Sequence, residues 1–153
     1  MAGATEPTDP AVSVRAAAIG DASDVARLLT QLGYPCDRDE AAERISRVLS
    51  DPRQHLLVAE VDGEVIGLAA MDMRYSVLRD ADQARITGLV VELGQCRHGI
   101  GRRLLREVEG IARRAGAARV EVTANMRRED AHAFYRGCGY TESSRHFIKR
   151  LGD

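Results

Sequence analysis

The stretch "LVVELGQCRHGIGRRLLREVEGIARRAG", residues 89–116, runs from an apolar segment through a turn with two glycines into a pattern of helical period. Ile100, Leu104, Val108, Ile111 and Ala115 share one stripe, Arg102, Arg103, Arg106 and Arg113 point elsewhere, and Gly116 stands where such a helix ends. A helix that begins between Gly99 and Arg102 presents backbone N–H groups with no partner inside the helix, and its aligned peptide dipoles place roughly half a positive charge there. Gly99 and Gly101 have no side chains to hold an anion off the backbone, while Arg97, His98, Arg102 and Arg103 surround the turn with donors. The same glycines also suit an ordinary tight left-handed turn. If the turn binds, a phosphate group is its ligand. The stretch lacks the lysine and Ser/Thr of GxxxxGK[ST], which argues against a Walker-type triphosphate site. A dinucleotide fingerprint is the weaker option: Leu104 holds its third glycine position, and Glu121 alone supplies its distal acid.

Working outward, "ARITGLVVEL" is a strand leading into the turn, and "ARVEVTA" a strand leaving the helix, so the two are parallel across a crossover. "HLLVAEVDGEVIGLAAMDMRY" is a pair of strands joined at Asp62-Gly63, a strong hairpin signal that demands antiparallel neighbours. "VSVRAA" reads as a first strand. "GDASDVARLLTQLG" reads as a helix capped by Asp21 or Ser23, with Val25, Leu28, Leu29 and Leu32 inward, and "DRDEAAERISRVLSD" as a second with Ala41, Ile45, Val48 and Leu49 inward. "EDAHAFYRGC" is a short helix and "SRHFIKRL" a last strand. The expected fold is mixed α/β: a mostly antiparallel sheet with a central parallel strand pair and helices on both faces. Residues 1–11, with Pro7 and Pro10, form an expected flexible tail before a single domain over 12–153.

The 153 residues suffice for one hydrophobic core, and no apolar run approaches the roughly 20 residues of a membrane span. Cys36, Cys96 and Cys138 fit neither a disulfide framework nor zinc-ligand spacing, and the four histidines are scattered, so a metal is not expected and a cytoplasmic location is. Charge is lopsided: residues 1–96 carry nine arginines against sixteen acids, net -7, whereas residues 97–153 carry thirteen basic residues against seven acids, net +6. A 4% aromatic content, with Phe134 and Phe147 in core-like positions, speaks against nucleic-acid stacking.

"LVVELGQCRHGIGRRLL", followed by "VEVTA" and "AHAFYRGCGY", resembles motifs A and B of the GNAT superfamily of acetyl-coenzyme-A-dependent N-acetyltransferases, with likeness from about Val12 to Leu151. Cys96 stands where the family pattern carries Gln or Arg, and Arg128 where it often carries Asn, with Asn125 nearby. The resemblance implies acetyl-CoA as co-substrate, its diphosphate on the backbone of Arg97, His98, Gly99, Ile100, Gly101 and Arg102. It implies a pantetheine arm paired to Leu89, Val90 and Val91 like an added strand, with the N–H of Leu89 or Val90 polarising the thioester carbonyl. Asn125, Arg128, Ala131, Phe134 and Tyr135 complete the implied cofactor site, and Tyr135, otherwise readable as a core tyrosine, becomes the general acid for the departing thiolate.

The base is left open among Asp72, Glu92, His98, His132 and a water chain. The acceptor is expected to be a primary amine of a small molecule or peptide, possibly cationic because Asp37, Asp39, Glu40, Asp80 and Asp82 flank its expected pocket. A non-catalytic CoA-binding sensor is the alternative. A homodimer through the last strand is a further expectation.

Overall fold

The computed structural model describes residues 11–94, 99–123, 129–143 and 146–152. The chain divides into two compact units, Met1–Thr123 and Ala124–Asp153. The first holds strands β1 (Val12–Ala16), β2 (Gln54–Val61), β3 (Glu64–Ser76), β4 (Ala81–Val91) and β5 (Arg119–Val122), and helices α1 (Ala22–Leu32), α2 (Arg38–Leu49) and α3 (Ile100–Arg114). The strands form one sheet in the order β1-β2-β3-β4-β5. Its first three pairings are antiparallel and β4–β5 is parallel, as the hairpin and the crossover require. Asp62 and Gly63 both take positive φ, 52° and 81°, which a two-residue hairpin turn twisted with its strands demands.

The sheet is covered on both faces. Val25, Leu28, Ile45, Val58, Leu68 and Val90 form a core under α1 and α2. On the opposite face α3 approaches so closely that a Cβ on Gly67 would lie 3.0 Å from Leu104 Cδ1 and 3.2 Å from Ile100 Cγ2. Glycine is needed there to admit the helix, whose Ile100, Leu104, Leu105, Val108 and Ala112 are buried. Helix α1 stops at Gly33, whose φ of 110° only glycine adopts without strain. Helix α2 starts with a reciprocal cap: Glu40 N–H donates to Asp37 Oδ1 at 2.8 Å, and Asp37 N–H to Glu40 Oε1 at 3.0 Å.

The second unit contains α4 (Glu129–Gly137), closed by Gly139 at φ 93°. Three expectations need correction. Residues 146–152 form no strand, so the basis for a strand-paired homodimer is absent from the described residues. Phe147 is 90% exposed instead of core-like. Leu49 is exposed because it is the last residue of α2, past the turn that packs through Ala41 and Ile45. Among the described residues no helix is long and apolar enough to cross a membrane.

Candidate active site

Strand β4 has two different edges. Toward β3 it is paired as far as Val91, with one irregularity: Ala70 faces Gly88 and Met71 faces Ile86, so Thr87 is a bulge. Toward β5 the pairing runs only from Gln83 to Ile86. Beyond the bulge, among the described residues, no strand lies against this edge of β4. The alternation of the ladder decides which main-chain groups face it. Glu92 N–H donates to Ile66 C=O at 2.7 Å, so Glu92 and, two residues earlier, Val90 are turned toward β3. Leu89 and Val91 are therefore turned outward. Of the two amides considered from sequence, Leu89 N–H is the one on the open edge, while the Val90 side chain is buried beneath α1 and α2.

The far end of that edge is held by a residue that sequence reasoning missed. Gln31 of α1 donates from Nε2 to Val91 C=O at 2.8 Å and accepts from Leu93 N–H at 3.3 Å through Oε1. Its carboxamide takes the place that a peptide group of a further strand would occupy. No motif marks it; the i, i+3 and i+4 spacing of α1 shows only that Gln31 flanks the buried stripe of Leu28 and Leu32. Nearby, Arg27 binds Glu92, Asp24 (3.0 Å) and Val65 C=O (2.9 Å). Glu92, one of the candidate bases, is thus held in an ion pair.

The start of α3 differs from those of α1 and α2. Those carry Asp24, and Asp39 with Glu40, in their first turns, whereas α3 has no acid there; like α1, and unlike α2, it also has no side-chain cap. The first bond recorded is Arg103 N–H to Gly99 C=O at 3.0 Å, so the amides of Ile100, Gly101 and Arg102 lie ahead of the intrahelical ladder. Gly99 has φ 70°, is exposed, and has open space within 4 Å of where a Cβ would stand. The Ile100 side chain is fully buried and anchors the turn. Such a helix end attracts anions through its unpartnered amides and its dipole. Arg97 and His98, and likewise Asn125 and Arg128, lie outside the described residues.

In the second unit, Ala131, Phe134 and Tyr135 lie on α4. Tyr135 is half-buried, with edge-on ring contacts to Phe134 (centroids 5.2 Å) and Tyr140 (5.7 Å). Burial, with a smaller contribution from Cys138, pushes its phenol up to about 12. Among the described residues its hydroxyl makes no hydrogen bond. His132 lies half-buried on the same helix.

The acids expected to draw a cation are held locally. Asp37 and Glu40 cap α2, Asp80 accepts from Tyr75 OH at 2.6 Å, Asp82 pairs with Arg53 at 3.2 Å, and Asp39 lies 3.7 Å from Arg38. Asp72, the other candidate base on a strand, lies opposite Arg85. Among the described residues no group of three or more His, Cys, Asp or Glu gathers to hold a metal ion.

The sequence model of the acetyltransferase (GNAT) family matches residues 23–140. The chain is 33% identical over 147 residues to an aminoalkylphosphonate N-acetyltransferase of Salmonella typhimurium, covering 93% of both chains. It is 31% identical over 141 residues to an aminoglycoside N(6')-acetyltransferase type 1 of Stenotrophomonas maltophilia, covering 88% of this chain and 90% of that one. Its fold matches that of an aminoglycoside N-acetyltransferase solved in complex with CoA, with TM-score 0.84 and 16% identity over 95% of this chain and 98% of the other. An open β4 edge followed by an uncapped glycine turn, together with these likenesses, leads to one conclusion: the chain belongs to the acetyltransferase (GNAT) family and is an acetyltransferase.

Proposed function

We propose that the protein transfers an acetyl group from acetyl-CoA to the primary amine of a small molecule, by direct attack of the amine on the thioester, and that residues 12–153 act as one domain in doing so. The observation that carries this reading is the exposed start of α3, without a side-chain cap, that follows a strand whose Leu89 main chain is turned away from β3 toward an edge that β5 leaves after Ile86. Acetyl-CoA supplies the activated acyl group as a thioester. The residues present suit it: the amides of Ile100, Gly101 and Arg102 offer donors to a diphosphate, and the open space at Gly99 lets the phosphates reach the backbone.

The edge of β4 takes the pantetheine as an added strand through the outward-facing main chain of Leu89, within the Leu89–Val91 segment that the resemblance implies; Val90 is turned to β3 and the Val91 carbonyl is held by Gln31. Leu89 N–H is the donor toward the carbonyl oxygen, on which negative charge grows as the amine attacks; a donor in that role is worth about 3–4 kcal/mol. From the family resemblance, Arg97, His98, Asn125, Arg128, Ala131 and Phe134 complete the cofactor site and Tyr135 protonates the leaving thiolate. A phenol pushed up to about 12 stays protonated through the neutral range and so keeps the proton it has to give.

A small molecule is favoured over a peptide because two relatives above 30% identity, matched over most of their length, are named for small amines. Thiol release from acetyl-CoA against a panel of amines tests the reading. Turnover with at least one small amine is the expected result; CoA binding with no release for any acceptor would favour a sensor instead.

A further inference from the structure

On the face that carries α1 and α2, the sheet changes character just beyond the end of α1. Ala70 and Gly88 are partners there, with a Cβ position on Gly88 only 3.4 Å from Leu32. Two residues farther along β3, still on this face, Asp72 lies opposite Arg85 of β4. Register extends the polar row to Gln54 on β2 and Glu121 on β5.

Asp72 and Arg85 meet only through a 3.5 Å Oδ2 to Nη2 contact, beyond the usual 2.7–3.2 Å range of an N–H···O bond. Asp72 Oδ1 and Arg85 Nε are buried and have no hydrogen-bond partner among the described residues. The side chains remain 26% and 35% exposed, so their other atoms reach solvent. A pair built only to brace the sheet would close into a two-bond fork and satisfy both groups. This one stays apart with capacity unspent. Its place matters too: Arg85 immediately precedes Ile86, the last β4 residue paired with β5, and Leu89 follows about 10 Å on, since the bulge at Thr87 matches the four steps of β4 to three of β3 at 3.3 Å per residue.

A carboxylate beside a guanidinium is complementary to a zwitterion. We propose that Asp72 and Arg85 are the acceptor-recognition pair, and that the acceptor is a small amine bearing an oxyanion on a short chain. Asp72 takes the ammonium group and Arg85 grips the oxyanion with two parallel N–H donors, so one loose pair becomes two complementary ones. A polycation meets like charge at Arg85 and is disfavoured. Carboxylate, sulfonate and phosphonate share the chemistry that Arg85 reads. The inference rests on the acetyl-transfer reading and assigns its specificity.

The test is steady-state thiol release at saturating acetyl-CoA with β-alanine, taurine, 2-aminoethylphosphonate, propylamine and 1,3-diaminopropane. At least one of the three oxyanion-bearing amines is expected to exceed propylamine and the diamine at least tenfold in kcat/KM, and the three identify which oxyanion fits. Arg85→Gln is expected to shrink that preference at least tenfold through KM, with Arg85→Lys restoring part of it. A purely structural role would lower every acceptor by the same factor and leave the ratio intact; that result, or a wild-type preference for the diamine, overturns the proposal. Calorimetric binding of the same compounds to the CoA-loaded protein reads the pair without turnover. Oxyanion-selective binding that depends on Arg85, but without thiol release, would sink the acetyl-transfer reading and uphold the recognition pair.

Discussion

Gly99 and Gly116 bracket α3, and substituting each in turn separates the conformational role of a glycine from a binding role. Both take positive φ, 70° and 80°, and both have open space where a Cβ would stand. Alanine at either site therefore adds no clash and bears only the cost of the left-handed conformation, about 1–2 kcal/mol. For a chain of this length that lowers Tm by roughly 2–8 °C. The two variants should be alike in stability and unlike in binding. At Gly99 the new methyl group stands beside the amides of the first turn and holds a diphosphate away from them. Loss of one hydrogen bond to a charged group costs about 1.5–3 kcal/mol, a rise in Kd of roughly ten- to hundredfold. Calorimetric titration with CoA is the assay, with thermal unfolding of the same samples as the control for folding. Gly99→Ala should lose CoA affinity while Gly116→Ala retains it. Equal CoA affinity in the two variants would refute the reasoning, because the left-handed turn would then be serving the chain alone.

Further outcomes are expected. Tyr135→Phe should lower kcat about 100-fold with little change in the KM for acetyl-CoA, measured by thiol release. In the wild type, loss of the phenol proton should not depress the rate near pH 10, since its pKa lies at about 12; an unimpaired Phe variant at all pH would remove Tyr135 from the mechanism. Gln31→Leu withdraws a donor from Val91 C=O and an acceptor from Leu93 N–H. It should cost about 1–3 kcal/mol in urea unfolding, and unchanged stability would show that the contacts are idle. Asp21 accepts from Arg15 at 2.8 and 2.9 Å and from Ala18 N–H at 2.7 Å, and the Arg15 guanidinium holds its carboxyl below the usual carboxylate range. That stabilisation is present above a pH of about 4 and is lost as the pH falls below it. Asp21→Asn should therefore cost about 2 kcal/mol at pH 7 and progressively less in acid; a pH-independent difference would contradict the assignment.

Much of the fold was legible because local rules and tertiary structure agree. Asp62-Gly63 demanded a tight hairpin, the stripe of Ile100, Leu104 and Val108 demanded a helix packed through one face, and the crossover required β4 and β5 to be parallel. The glycine turn was legible for the same reason, since positive φ and an uncapped helix start follow from residue types alone. Gln31, Arg27 and the Asp72–Arg85 pair were not. Their roles depend on contacts between residues 13 to 65 positions apart, and a glutamine flanking a helical stripe looks the same whether it faces water or a strand edge. The local partners of the acids were not legible either: the charge of Asp37, Glu40 and Asp82 is visible in sequence, but the cap and the ion pair they make are not. "SRHFIKRL" misled through periodicity, since apolar spacing can propose a strand but cannot supply the neighbour with which it must pair.

The most direct test of the central claim is amide chemical-shift mapping of the 15N-labelled protein titrated with CoA. The largest changes should fall on Gly99, Ile100, Gly101 and Arg102 at the start of α3 and on Leu89 at the open edge of β4. Saturable shifts elsewhere with these amides unmoved, or no response at millimolar CoA, would contradict it.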